Sequence, residues 1–145
     1  MNSNDVIIEQ AYAAAPATVW KAISDVTEMR AWYFPLEAFE AEAGFSFQFV
    51  SGNSEDKPYL HLCKVVEVIP QQKLSYTWQY DGLPGCTLVS FELSERAPGT
   101  LLRLTHSDIE TLAEGGADFK KENFVGGWTY FLKTALAGYL DGKQD

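Results

Sequence analysis

The longest helical pattern in this chain is Asn123-Phe-Val-Gly-Gly-Trp-Thr-Tyr-Phe-Leu-Lys-Thr-Ala-Leu-Ala-Gly-Tyr-Leu140, and it decides the fold. Its apolar residues recur at steps of three and four, so one broad stripe of the helix is apolar and needs another layer to cover it. Gly126 and Gly127 interrupt the pattern, and each costs about 1 kcal/mol relative to alanine in a helix interior. Close approach to a sheet, or a bend, would offset that cost. The stripe consists of Phe124, Trp128, Phe131, Leu132, Leu136, Tyr139 and Leu140.

The rest of the chain predicts an antiparallel sheet for this helix to cover. A β-branched run near the N-terminus is followed by Pro16 and two short helices, Ala17–Ile23 and about Val26–Trp32. Short runs rich in aromatic and β-branched residues come next, each bounded by turn residues, which is typical of a meander of hairpins. Alternation makes one face of these runs apolar. The predicted strands are Val6–Tyr12, Glu37–Ala41, Phe45–Ser51, Tyr59–Ile69, Lys73–Tyr80, Cys86–Glu95 and Thr100–Ser107.

Together these elements predict an α+β fold, in which a curved antiparallel sheet of about seven strands grips the long C-terminal helix. Two short helices follow the first strand. A length of 145 residues with 46% hydrophobic residues fits one domain over residues 1–145. Bulky aromatic residues on both the helix and the sheet predict either a dense core or an apolar cavity between them. The sequence leaves both alternatives open.

Composition argues against several classes of partner. The net charge is -9 and the eleven Lys and Arg residues are scattered, which disfavours nucleic acids and anionic membrane surfaces. The N-terminus lacks a signal-peptide pattern, and no apolar run approaches the roughly 18 residues of a membrane span, so we expect a cytoplasmic protein without membrane insertion. Cys63 and Cys86 are the only cysteines. We expect both to be reduced and buried.

A metal site suggests itself at one end of the sheet. In a meander, His61, Cys63, Tyr80, Cys86 and His106 come to the same end of their strands. Zinc ligands must converge to about 2.0–2.3 Å from the ion, whereas neighbouring strands lie about 4.8 Å apart. No close ligand pair such as C-x-x-C is present. We therefore predict no metal and no other cofactor.

Catalysis has little support in the sequence. His106 shares a strand face with Leu102 and Leu104, so we expect it to point inward, where burial keeps an imidazole neutral. No Ser-centred nucleophile motif and no paired carboxylates accompany it on the apolar face. We predict no catalytic residue, and an enzyme is less favoured than a binding protein.

Five segments of the chain, in this order, resemble a known family: Ala15-Pro-Ala-Thr-Val-Trp20; Trp32-Tyr-Phe-Pro35; Val65-Val-Glu-Val-Ile-Pro70 followed by Leu74-Ser-Tyr-Thr-Trp78; Gly99-Thr-Leu-Leu-Arg-Leu-Thr-His106; and Gly127-Trp128 with Phe131-Leu132 and Tyr139-Leu140. They are similar to the START-like (SRPBCC, helix-grip) superfamily, and within it to the C-terminal domain of the heat-shock protein 90 ATPase activator. The resemblance implies a cavity between the helix and the sheet, which in the superfamily holds lipids, sterols or polyketides. Some members are cyclases or hydrolases. Cys63 departs from the small glycine expected at its position.

The aromatic walls and the resemblance together predict a site for a small apolar or amphipathic ligand between the C-terminal helix and the sheet. Polar members of the apolar face, such as Tyr76, Tyr80 and His106, would orient that ligand. Two alternatives stay open: a co-chaperone-like module with a chaperone partner, and a cyclase or hydrolase of an aromatic substrate. If Gly126 and Gly127 face the sheet they permit tight packing, and if they lie beside the helix tryptophan they make room for the ligand. The predicted site residues are Trp32, Phe34, Phe47, Phe49, Tyr76, Trp78, Phe91, His106, Phe124, Trp128 and Phe131.

Overall fold

One antiparallel sheet and a long C-terminal helix make up most of the computed structural model, which describes residues 5–34, 36–51, 59–115 and 121–141. The strand order is β1-β6-β5-β4-β3-β2, with every neighbouring pair antiparallel. The strands are β1 (Val6–Tyr12), β2 (Ser46–Ser51), β3 (Tyr59–Ile69), β4 (Lys73–Tyr80), β5 (Thr87–Arg96) and β6 (Gly99–Ser107). The helices are α1 (Pro16–Ser24), α2 (Val26–Trp32), a 3-10 helix (Ile109–Gly115), α3 (Lys121–Thr129), a π-helical segment (Tyr130–Ala135) and α4 (Leu136–Asp141). None of the described helices is long and apolar enough to cross a membrane.

The predicted α+β fold is confirmed, with six strands in the described residues. The predicted strand Glu37–Ala41 is wrong, because this segment is irregular. Arg30 explains why: its guanidinium donates to the carbonyl oxygens of Leu36 and Glu37, both at 2.7 Å, so these carbonyls are satisfied by a side chain rather than by a neighbouring strand. Phe39 is nevertheless buried. The other strand bounds match the prediction to within one residue.

Helix α2 places the first aromatic residues of the site. Asp25 caps it by accepting a hydrogen bond from the Glu28 backbone N–H at 3.1 Å. Buried Glu28 accepts a hydrogen bond from the hydroxyl of Tyr139 in α4 at 3.0 Å. The indole N–H of Trp32 donates to the carbonyl of Ala22 in α1 at 2.8 Å. These bonds fix α2 against both α1 and the C-terminal helix.

The C-terminal helix, from α3 through α4, covers the apolar face of the sheet. A π-helical turn, with i→i+5 hydrogen bonds, interrupts it at Tyr130–Ala135. Within that turn the carbonyl of Leu132 accepts a hydrogen bond from the hydroxyl of buried Tyr12 in β1. Lys133 donates to the carbonyl of Glu9 at 3.1 Å. The buried residues of the helix are Phe124, Trp128, Leu132, Leu136 and Leu140.

Neither of the two alternatives for Gly126 and Gly127 holds. Both residues are exposed, and a Cβ added to either would have no atom within 4 Å. They therefore neither permit close packing on the sheet nor enlarge the space beside Trp128. Close approach is instead found at Gly99, where an added Cβ would lie 2.0 Å from the carbonyl oxygen of Tyr12.

Candidate functional site

The predicted site residues form a continuous network of aromatic contacts between the sheet and the C-terminal helix. Trp128 is at its centre, with ring centroids 5.6 Å from Trp78, 5.9 Å from Phe91 and 6.0 Å from Tyr33. The helix and the sheet thus touch directly around Trp128, where the packing is that of a dense core. Buried members of the predicted set are Trp32, Phe47, Phe49, Tyr76, Trp78, Phe91, His106, Phe124 and Trp128, and its half-buried members are Phe34 and Phe131.

His106 is buried, as predicted, and both of its ring nitrogens are hydrogen-bonded. The indole N–H of Trp128 can only donate, so its 3.1 Å contact makes Nδ1 of His106 the acceptor. Nε2 then carries the proton and donates to Oγ1 of Thr87 at 2.8 Å, and Thr87 donates to the carbonyl of Trp78 at 2.7 Å. Burial lowers the pKa of His106 to about 3. A neutral imidazole whose lone pair is already occupied does not serve as a general base.

His61 lies in a second part of the same network. Its ring stacks on Phe49 at 4.3 Å, and Nδ1 donates to the carbonyl oxygen of Tyr59 at 2.9 Å. Burial lowers the pKa of His61 to about 4, partly opposed by its backbone hydrogen bonds. Both histidines contact Trp78. Cys63 is buried, as expected, whereas the expectation of a buried Cys86 is wrong, because Cys86 is exposed. Among the described residues no group of three or more His, Cys, Asp or Glu side chains could hold a metal ion.

Two tyrosine hydroxyls meet in the interior of the network. The hydroxyl oxygens of Tyr33, which follows α2, and Tyr76, in β4, are 2.6 Å apart. The Tyr33 ring stacks on Trp128, and the Tyr76 ring contacts Phe47 at 5.1 Å. Burial raises the pKa of each tyrosine well above the ordinary value of a phenol, so both are protonated at neutral pH.

Phe34 enters the gap between sheet and helix from an irregular segment. Its ring stacks on Phe49 of β2 at 4.3 Å and meets Phe131 of the π-helical segment edge-on at 4.9 Å. The ring centroids of His61 and Trp78 lie 5.9 and 6.1 Å away. The half-buried side chain of Phe34 thus fills the space between the two walls where the network reaches the surface.

Several residues that the structure brings into the network were not among the predicted site residues, including Tyr33, His61, Tyr80 and Thr87. Tyr33 lies between two predicted site residues, and its apolar flanks were a signal that it belongs with them. Thr87 precedes the alternating part of β5 and left no such signal. Its role as the acceptor for His106 depends on the pairing of Thr87 with Trp78 across β4 and β5.

Solved structures share this architecture. Protein MLL2253 from Mesorhizobium loti is 24% identical, with a TM-score of 0.80 over 97% of this chain and 99% of that one. CV1439 from Chromobacterium violaceum is 20% identical, with a TM-score of 0.79 over 94% and 96%. DynU16, a protein of the dynemicin biosynthetic locus, is 20% identical, with a TM-score of 0.77 over 99% of this chain and 49% of that one. At these identities the likeness concerns the fold. Among curated proteins, none matches this sequence significantly.

The sequence profile of one family matches most of the chain. That family is described as "Activator of Hsp90 ATPase homolog 1-like protein", and it matches residues 13–141. The match includes α1 and α2, all of the sheet except β1, and the C-terminal helix. The chain therefore belongs to the Activator of Hsp90 ATPase homolog 1-like family and has the START-like, helix-grip fold.

Proposed function

We propose that this protein binds a small, largely apolar molecule with a flat ring between the C-terminal helix and the sheet. The observation that carries the proposal is the position of Phe34, an aromatic ring inserted between the two walls from a segment that is neither helix nor strand. A ligand ring takes this position when the Phe34 side chain turns outward. It then stacks on Phe49 and meets the edge of Phe131, as Phe34 does.

The energetics favour such an exchange of rings. Phe34 is half-buried, so moving it into water forfeits only part of the burial free energy of a phenylalanine, which is about 1.5–3 kcal/mol when complete. A ligand that buries one or two rings on the same walls regains that amount and adds ring–ring contacts worth about 0.5–1.5 kcal/mol each. Because Phe49 and Phe131 lie on a strand and a helix, the walls are already formed.

Direct binding tests this proposal. Native mass spectrometry and displacement of a fluorescent naphthalene dye would be measured with sterols, fatty acids and small aromatic ketones. We expect at least one aromatic or alicyclic class to displace the dye at micromolar concentration. Absence of any bound species and of any displacement at high micromolar concentration would refute the proposal.

A pair of alanine variants locates the site. Phe34→Ala removes the ring that competes with the ligand, so affinity should rise several-fold relative to the wild type. Phe45→Ala is the matched control, because Phe45 is also a half-buried phenylalanine but its ring contacts Phe39 rather than Phe49 or Phe131. If Phe45→Ala raises the affinity as much as Phe34→Ala does, the ligand does not bind at Phe34.

A second candidate function follows from the family itself, whose description names the activator of a chaperone ATPase. In that case the chain would bind a heat-shock protein 90 and stimulate its ATP hydrolysis. A pull-down with the cognate chaperone and a steady-state ATPase assay test this directly. Neither binding nor stimulation at an excess of this protein would exclude it. Phe34→Ala should leave chaperone binding unchanged, which separates the two functions experimentally.

A further inference from the structure

The hydroxyl pair of Tyr33 and Tyr76 has two hydrogen-bond donors, of which the bond between the two oxygens uses only one. Each phenol is protonated, so two O–H groups share the 2.6 Å contact between the two oxygens. One O–H donates across that contact, and the second has to point elsewhere. Within the described residues no third hydrogen-bonding partner of either hydroxyl is present. Tyr76 is fully buried and Tyr33 is 8% exposed, so bulk water is not a ready acceptor.

The neighbours of the pair do not supply the acceptor. Tyr33 is surrounded by the rings of Trp32, Phe34, Trp128 and Phe131, which are apolar on the faces they present. Cys63 is close enough to influence both tyrosines electrostatically, but no hydrogen bond joins its thiol to either hydroxyl. A buried O–H without an acceptor costs about 1–3 kcal/mol. An acceptor atom brought by a ligand removes that cost.

The location of this donor matches the ring position proposed above. The Tyr33 ring centroid lies 4.7 Å from that of Phe34 and 5.1 Å from that of Phe131. A ligand ring in place of Phe34 therefore lies against Tyr33. The inference requires an oxygen on that ring to reach the hydroxyl of Tyr33 or Tyr76.

The charge of the surroundings selects a neutral acceptor. The buried charged and polar side chains among the described residues are Glu28, His61, Ser75, Thr87, Thr100 and His106, which include no Lys and no Arg. A carboxylate or phosphate would lose its hydration in this apolar site without gaining a cation, which is unfavourable. The chain's net charge of -9 acts against anions as well.

We infer that the Tyr33–Tyr76 hydroxyl pair is the polar anchor of the site, and that it selects neutral ring compounds bearing a carbonyl or ether oxygen. This inference rests on the proposed function, because it assumes that a ligand enters at Phe34. It goes beyond that proposal by naming the group that recognises the ligand and the chemical class recognised.

The test compares two probes of the same shape, 1-tetralone, which carries a ketone, and tetralin, which does not. The wild type should bind 1-tetralone about three- to tenfold more tightly than tetralin, the effect of one net hydrogen bond. The double variant Tyr33→Phe/Tyr76→Phe should bind both probes equally. Because both partners of the bond are removed together, this variant leaves no orphaned hydroxyl and should fold. Tyr12→Phe, which loses a buried hydroxyl in β1 instead, should keep the preference.

The outcomes distinguish failure of the proposed function from failure of the inference alone. If neither probe binds the wild type, the proposed function fails and the inference fails with it. If both bind with equal affinity, or if the preference survives in the double variant, the inference alone is overturned. Tighter binding of the anion 2-naphthoate than of 1-tetralone would also overturn it. Should the double variant not fold, the carbonyl stretching frequency of 1-tetralone bound to the wild type replaces it as the test. We expect this frequency to lie at lower wavenumber than in an apolar solvent. An unshifted frequency would overturn the inferred hydrogen bond from the hydroxyl pair.

Discussion

Acidification should destabilise this protein through His106. The imidazole is neutral in the fold, with Nδ1 accepting from Trp128 and Nε2 donating to Thr87, and burial lowers its pKa from 6.5 to about 3. The unfolded chain therefore binds a proton at His106 between these two values while the folded protein does not. Because the unfolded state binds more protons, stability rises with pH in this window and is lost as the pH falls from 6.5 toward 3.

The magnitude follows from the width of that window. At about pH 5 the unfolded histidine is about 1.5 pH units below its own pKa, and each unit is worth about 1.4 kcal/mol, so His106 alone costs about 2 kcal/mol relative to about pH 7.5. His61, whose pKa is lowered to about 4, acts in the same direction. A loss of this size is a large part of the 5–15 kcal/mol that is roughly typical of a folded domain.

Urea unfolding at several pH values measures the effect, with His106→Gln as the reference that removes the proton linkage at this position. Glutamine is uncharged, so the variant is less stable than the wild type at neutral pH but lacks the contribution of His106 to the pH slope. Subtracting the two curves cancels the carboxylates that titrate in both proteins. We expect the wild type to lose about 2 kcal/mol more than the variant between about pH 7.5 and about pH 5.

Parallel curves for the two proteins would refute the neutral, doubly hydrogen-bonded His106. An NMR titration gives an independent check that does not depend on the variant. The imidazole carbon-bound protons of His106 should keep constant chemical shifts from about pH 8 down to about pH 5. A midpoint near the ordinary histidine value would contradict the structure.

Three further predictions follow from residues outside the aromatic network. Gly127→Ala should stabilise the protein by about 0.5–1 kcal/mol and raise its melting temperature by about 2–3 °C, because a methyl group there meets only open space. Gly99→Ala should instead destabilise the protein, because its Cβ would collide with a backbone oxygen. Alkylation of the folded protein with iodoacetamide should label exposed Cys86 slowly, since partial desolvation and the Asp108 carboxylate raise its thiol pKa. Buried Cys63 should react only after unfolding, and rapid labelling of both thiols in the native protein would be inconsistent with this. Tyr12→Phe removes the donor to the π-helical segment and should cost about 1–3 kcal/mol in urea unfolding; no measurable change would mean that the freed carbonyl finds another donor.

Local pattern predicted most of the fold. The alternation of Leu102, Leu104 and His106 on one strand face correctly placed the histidine in the interior, because residues two apart on a strand share a face. The bounds of β1, β3 and β4 followed from runs of strand-forming residues flanked by turn residues. These features depend on neighbours in sequence, which a pattern can register.

The failures came from contacts made by residues in the connections between regular elements. The sequence predicts a short strand at Glu37–Ala41. The position of the Arg30 guanidinium against the carbonyl of Leu36 depends on how α2 is oriented, which no local pattern encodes. The pairing of Tyr33 with Tyr76 joins residues from a connection and a central strand. Sequence could propose aromatic walls, but it could not say which hydroxyls meet.

The aromatic network also explains why neither a full cavity nor a fully dense core was predictable. Around Trp128 the two walls are in ring contact, so that part is packed. At Phe34 the filling ring comes from a connection rather than from either wall. In the described residues the interface is therefore filled by side chains, from the two walls around Trp128 and from a connection at Phe34.

The π-helical segment sets the phase between the two halves of the C-terminal helix. The buried residues of the C-terminal helix are spaced by four: Phe124, Trp128, Leu132, Leu136 and Leu140. An α-helix has about 3.6 residues per turn, so along a uniform α-helix each step of four would rotate by about 40° beyond a full turn. The stripe would then turn away from the sheet. The wider turn at Tyr130–Ala135 takes up part of that drift. One further residue inserted there would rotate α4 by about 100° relative to α3. The hydrogen bond from Trp128 to His106 and the one from Tyr139 to Glu28 could then no longer be made by one continuous helix.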